Sequence, residues 1–180
     1  EGSFVEVGAF VRQRPTEYGC AAEPEAVVTG YGAVDGVLVF AFAQDPAVSK
    51  GALSEMHAQK IKNIVSMAIK ADAPLVSFLD SCGMRLGEGI DALAGYGEIL
   101  SLCSEIQGVI PHVCVVSGVC AGALSFLPAF ADYTVMLKNA ELFLSAPSVV
   151  QARFGAKTGD AASAYEAGLA SVICDTDAQA

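Results

Sequence analysis

Asp80-Ser-Cys-Gly-Met-Arg-Leu-Gly-Glu-Gly89 and Gly118-Val-Cys-Ala-Gly-Ala-Leu-Ser-Phe-Leu-Pro-Ala129 are two Gly-rich turns, each preceded by a short apolar run and each followed by a helical pattern. A helix start leaves peptide N–H groups without intrahelical partners, and a neighbouring Gly lets a ligand atom approach them closely. Two such starts facing each other are able to hold one oxyanion between them, which is catalysis by backbone rather than by side chain.

Working outward, the same strand–turn–helix rhythm repeats. Val27–Tyr31 and Val37–Ala43 flank Ala33-Val-Asp-Gly36, where Asp-Gly between β-rich runs predicts a hairpin. From Leu53 to Lys70, apolar Leu53, Met56, Ile61, Ile64, Val65, Ala68 and Ile69 recur at helical spacing, with Lys60, Lys62 and Asn63 expected mostly on the opposite side. Strands are expected at Pro74–Leu79, Pro111–Ser117, Tyr133–Leu137, Glu141–Leu144 and Ala170–Cys174, and helices at Ile90–Ile106, Gly122–Phe130 and Ala161–Ala167. This alternation predicts an α/β fold, a mostly parallel sheet wrapped by helices, with active atoms at the carboxyl ends of the strands. Residues 1–180 are expected to form one domain, long enough to bury a sizeable core.

Composition narrows the function classes. Hydrophobic residues make up 53% of the chain and the mean hydropathy is +0.50. The apolar runs Val37–Ala43, Pro74–Leu79 and Val113–Val116 are nevertheless far shorter than the about 20 residues that span a bilayer. The net charge of −10 makes nucleic acid an unexpected partner, so an anionic ligand needs a local basic patch, for which Lys50, Lys60, Lys62, Arg85, Arg153 and Lys157 are the candidates. Six cysteines (Cys20, Cys82, Cys103, Cys114, Cys120, Cys174) form no Cys-x-x-Cys pair, so no metal site is expected; reduced thiols and a cytoplasmic location are. Glu1-Gly-Ser-Phe-Val-Glu has neither a basic region nor a long apolar stretch, so no signal peptide is expected, and the missing initial Met suggests a start inside a longer product.

Several stretches, taken in order, carry a resemblance: Glu1-Gly-Ser-Phe-Val-Glu-Val, Val27-Val-Thr-Gly30, Ser54-Glu-Met-His-Ala-Gln-Lys-Ile61, the Asp80–Gly89 turn, Ala92-Leu-Ala-Gly-Tyr-Gly97, Gly108-Val-Ile-Pro111 and Cys120-Ala-Gly122. Together they resemble the N-terminal half of the carboxyltransferase subunits of biotin-dependent acyl-CoA carboxylases and decarboxylases, over nearly the whole chain. The resemblance implies a crotonase-like fold of repeated ββα units. It implies acyl-CoA as substrate, biotin on a partner biotin carboxyl carrier protein as cofactor, a homologous C-terminal carboxyltransferase half or subunit, and an oligomer.

The family's Asp-Ser-Gly-Gly-Ala-Arg falls on Asp80–Arg85, and its Cys-Ala-Gly-Gly on Cys120–Ala123. Peptide N–H groups of Gly83, Met84, Gly122 and Ala123 are then the implied donors to a thioester enolate. Cys82 and Ala123 stand where the family has Gly, and Met84 where it has a small residue, which bears on substrate identity. Arg85 is expected either to brace the turn through Asp80 or to meet a CoA phosphate, a role Lys60 shares, while Tyr96 and Cys82 are candidates to line the acyl site. Two other readings stay open: a non-catalytic scaffold subunit whose turns have drifted, and a stand-alone enoyl-CoA hydratase or isomerase using Glu88. His57 and His112 are expected to be structural.

Overall fold

The structure, a computed structural model, describes residues 2–14 and 23–176. Eight strands form one sheet: β1 (Val5–Val7), β2 (Val27–Val34), β3 (Val37–Gln44), β4 (Leu75–Ser81), β5 (His112–Ala121), β6 (Tyr133–Leu137), β7 (Glu141–Phe143) and β8 (Val172–Cys174). Their order is β1-β2-β3-β4-β5-β6-β8, with β7 paired to the end of β5. The first three strands are antiparallel and all later pairings parallel. The β2–β3 hairpin closes on Val34↔Val37. Asp35 and Gly36 both take positive φ, 51° and 81°, the backbone that a two-residue hairpin needs to match strand twist.

Helix α1 (Glu55–Ala71) is capped by Ser54, whose side chain accepts the His57 N–H at 2.9 Å. Leu53 therefore lies before the helix and pairs with Met84 in an isolated bridge. Ala58, Ile61, Ile64, Val65 and Ala68 are buried, each large aliphatic chain contributing about 1.5–3 kcal/mol by leaving water. Lys60 departs from expectation, because it sits on this buried face. Helix α2 (Ile90–Ile106) has the expected bounds and crosses α1 at Gly95, where a Cβ would lie 2.7 Å from that of Ala58.

The helix expected over Gly122–Phe130 is instead a 3-10 turn, Gly122–Phe126, followed by α3 (Leu127–Phe130). Pro128 has no N–H to offer Leu124 O, which accepts from Leu127 instead, so an i→i+3 pattern replaces the α-helical one. Helix α5 (Ala161–Glu166) was expected. Two elements were not: β1, and α4 (Pro147–Phe154), which buries no residue and so shows no amphipathic signal. Cys103, Cys114 and Cys120 are buried among apolar side chains, whereas Cys20 lies outside the described residues. No helix among the described residues is long and apolar enough to cross a membrane.

Candidate active site

The two Gly-rich turns leave the carboxyl ends of adjacent parallel strands, with Ser81 of β4 opposite Cys120 of β5. They abut: a Cβ built on Gly83 would lie 3.7 Å from Ala121 O. Between the pairs Leu79↔Val116 and Ser81↔Cys120, β4 advances two residues and β5 four, so β5 bulges opposite Asp80. The Asp80 carboxylate fills the bulge. It accepts the Val119 N–H at 3.1 Å and lies against Gly118, where a Cβ would meet all three carboxylate atoms at 2.2–2.4 Å. The Asp80 N–H donates to Gln44 Oε1 at 3.1 Å, and Gln44 Nε2 lies 3.3 Å from His57 Nε2. The side chains of Asp80 and Gln44 thus tie the bulge of β5 to β3 and α1.

In the first turn, the Cys82 N–H donates to Lys50 O at 3.1 Å, and the Gly83 N–H donates to Ser81 Oγ at 3.2 Å. Gly83 is therefore not an open donor, a correction to the expectation. Leu53 brackets the next residue, donating to Gly83 O and accepting from Arg85 N–H, both at 2.9 Å. Met84 faces away from this bridge, and its N–H meets no acceptor among the described residues. In the second turn Gly122 has φ 69°, and open space surrounds its Cβ position. The first N–H groups of a helix have no intrahelical acceptor, which leaves those of Gly122 and Ala123 outside the 3-10 ladder.

The expected side chains are placed differently. Arg85 does not bond Asp80. It pairs with Glu25 at 3.1 Å and Glu88 at 3.3 Å, in a cluster where Glu25 is fully buried and Glu88 nearly so. Two carboxylates hold this guanidinium at the turn. Glu88 is equally committed, accepting from Arg85 through one oxygen and from Glu55 N–H, at 2.8 Å, through the other. It braces the start of α1, a use of the helix dipole, and the arrangement does not favour Glu88 as a hydratase acid or base.

Lys60 donates to Val27 O at 2.6 Å and is buried; loss of water lowers its pKa. Tyr96 is buried too, its hydroxyl has no partner among the described residues, and burial raises its pKa. Cys120 and Cys82, one in each turn, raise it further. Cys82 is exposed. Burial raises the pKa of Cys120, and the Cys103 and Cys114 thiols go to about 12 for the same reason, so none of the three is an activated nucleophile. Burial lowers His57 to about 3, helped by Arg85 and Lys60, and His112 to about 4. His112 Nε2 lies 3.0 Å from Ser77 Oγ, inside the core. Both histidines are neutral packing groups. Among the described residues no group of three or more His, Cys, Asp or Glu side chains is placed to hold a metal ion.

Gln44 is the contributor that sequence reading missed. A Gln at the end of an apolar strand carries no periodic signal, and only its meeting with Asp80 and His57 gives it a role. Gly118 was legible in part, since an isolated Gly in a strand pattern marks a bulge or a close approach.

The model of the carboxyl transferase domain matches residues 1–178. Methylmalonyl-CoA decarboxylase subunit alpha of Veillonella parvula is 44% identical over 159 residues, covering 86% of this chain and 31% of that protein. The mitochondrial propionyl-CoA carboxylase beta chain of Homo sapiens is 42% identical over 156 residues, covering 83% of this chain and 29% of that protein. The chain thus spans less than a third of the length of these curated relatives. Among solved structures, the hexameric transcarboxylase 12S core, with methylmalonyl-coenzyme A and methylmalonic acid bound, superposes with a TM-score of 0.92 at 33% identity, over 98% of this chain and 36% of that one. That likeness makes the fold crotonase-like. With two abutting backbone turns at its strand ends and a match along almost its whole length, the chain belongs to the carboxyl transferase domain family.

Proposed function

We propose that this chain is the acyl-CoA side of a biotin-dependent carboxyltransferase, binding an acyl-CoA thioester and stabilising its enolate while a carboxyl group moves to or from biotin. One observation carries the reading: the turns abut at the ends of β4 and β5, with the Met84 N–H unclaimed on one side. Moving a carboxyl group onto or off the carbon beside a thioester places negative charge on the thioester oxygen. Preorganised N–H groups meet that charge without reorganising, and one such donor is worth roughly 10²–10³ in rate. Met84, Gly122 and Ala123 supply the donors here, and Gly83 shapes the turn. Tyr96 and Cys82 line the acyl side. No side-chain base is required, because the biotin ureido group serves in carboxyl and proton transfer.

Biotin arrives on a biotin carboxyl carrier protein, and a homologous C-terminal carboxyltransferase half, within an oligomer, completes the site. We place the protein in the cytoplasm, in keeping with the free thiols of Cys82, Cys103, Cys114 and Cys120.

The test is carboxyl exchange between labelled malonyl- or methylmalonyl-CoA and free biotin, with and without the C-terminal half, alongside calorimetric titration with acyl-CoAs. Acyl-CoA binding by this chain and exchange on mixing are expected. Absence of binding at millimolar ligand overturns the reading. Binding without exchange under any condition favours a scaffold subunit, the reading suggested by the engaged Gly83 N–H.

A further inference from the structure

Ser49, Lys50 and Gly51 form a single left-handed turn, with φ of 47°, 54° and 68°. It is closed by Gly51 N–H to Val48 O at 2.9 Å and Ala52 N–H to Ser49 O at 3.1 Å. The turn is clamped to the first Gly-rich turn. Lys50 O accepts the Cys82 N–H, and Gly51 lies so close to Asp80 that a Cβ would fall 2.0 Å from Asp80 O. Gly at the third position is thus obligatory. Nothing steric asks for a lysine at the second, where L residues are disfavoured relative to Gly. Strain held in this way gathers at sites that bind or react.

The charge census points to the same residue. Of ten lysines and arginines, Arg14, Lys62, Arg85, Lys138 and Lys157 are in ion pairs, and Lys60 is buried against Val27 O. Arg12 bridges to Pro24, Lys70 ends α1 and Arg153 lies on α4. Lys50 is exposed and joined to the first turn, with no ion-pair partner among the described residues. A chain of net charge −10 that binds a polyanion needs a cation at the site itself.

We propose that Lys50 is an anion-docking residue, which takes a negatively charged group of the acyl-CoA, a CoA phosphate or the carboxylate of a dicarboxylic acyl group, while the thioester lies at the Gly-rich turns. The inference rests on the acyl-CoA reading above. The left-handed backbone of Lys50 is the cost of placing a lysine at the first Gly-rich turn.

The experiment titrates the full chain and its Lys50→Met and Lys50→Gly variants with CoA, 3′-dephospho-CoA, propionyl-CoA and methylmalonyl-CoA, each at 50 and 300 mM salt. We expect Lys50→Met to weaken binding about threefold to tenfold, the scale of one partly exposed charge-assisted contact, and to flatten the salt dependence. Lys50→Gly should bind as weakly as Lys50→Met yet melt no lower than wild type, since the left-handed strain is gone. A deficit lost with 3′-dephospho-CoA assigns the ribose phosphate, one confined to methylmalonyl-CoA assigns the acyl carboxylate, and one common to all four ligands assigns the pyrophosphate. Wild-type affinity of Lys50→Met for all four ligands overturns the proposal while leaving the acyl-CoA reading intact. Failure of the wild-type chain to bind any of them overturns both.

Discussion

Replacing Gly118 with Ala puts a methyl group where the Asp80 carboxylate now sits. The added Cβ would lie 2.2 Å from Oδ2, 2.3 Å from Cγ and 2.4 Å from Oδ1, closer than any real contact, so Asp80 must leave the bulge. Its 3.1 Å bond from the Val119 N–H goes with it. A hydrogen bond to a charged acceptor contributes about 1.5–3 kcal/mol, and overpacking costs about 1–3 kcal/mol. The lower entropy of the unfolded Ala chain returns about 0.4–1 kcal/mol. The net loss is about 2–5 kcal/mol, or about 4–20 °C in Tm for a chain of this size. Gly97→Ala is the control: it lies exposed on α2 with nothing within 4 Å of its Cβ position, and should gain about 0.5–1 kcal/mol. The mechanism is isolated by a double-mutant cycle. Asp80→Ala alone strands the Val119 N–H at about 1–3 kcal/mol, but in its background Gly118→Ala no longer meets a carboxylate and should be nearly neutral. Thermal or urea unfolding of the four proteins measures the coupling. Additive costs, or a Gly118→Ala protein as stable as wild type, would refute the account of the bulge. Because the bulge positions the turn that carries Gly122 and Ala123, acyl-CoA affinity should fall with Gly118→Ala and stay unchanged with Gly97→Ala.

The remaining predictions concern other residues. His57 and His112 are held neutral in the native fold, at about 3 and about 4, against an ordinary 6.5. The stability they confer is thus complete above pH 6.5 and lost as pH falls towards 4, with a slope approaching 2 × 1.36, about 2.7 kcal/mol per pH unit. Urea midpoints across this window should show it, His57→Gln should halve the slope, and an unaltered slope in that variant contradicts the assignment. Exposed Cys82 should react with a thiol reagent in the native protein, and acyl-CoA should slow the reaction, whereas Cys103, Cys114 and Cys120 should label only on unfolding; peptide mapping of the labelled protein decides this, and ligand-independent labelling of Cys82 would separate it from the acyl site. Met84 is half-buried against the core, and Met84→Ala should widen the acyl space while keeping the backbone donor, raising kcat/KM for longer acyl chains by up to about tenfold; a general loss over all chain lengths would instead make Met84 a support of the turn.

What the sequence determined by itself is whatever depends on neighbours along the chain. The Asp35-Gly36 hairpin, the bounds of α2 and the placing of two Gly-rich turns after apolar strands follow from local backbone preference and hydrophobic period, and the family followed from the resemblance carried by seven stretches in order. The tertiary structure decided what depends on residues far apart in the chain. It withdrew the Gly83 donor by giving its N–H to Ser81, turned Arg85 from Asp80 to Glu25 and Glu88, and buried Lys60 under β2. It also brought Gln44, Asp80 and Gly118 together at one bulge and set Lys50 against Cys82. Charge and hydrogen-bonding groups are promiscuous, since any guanidinium suits any carboxylate and any N–H suits any oxygen. Their partners are therefore chosen by which groups the packed strands and helices bring within about 3 Å, and that choice is absent from the spacing of residues along the chain.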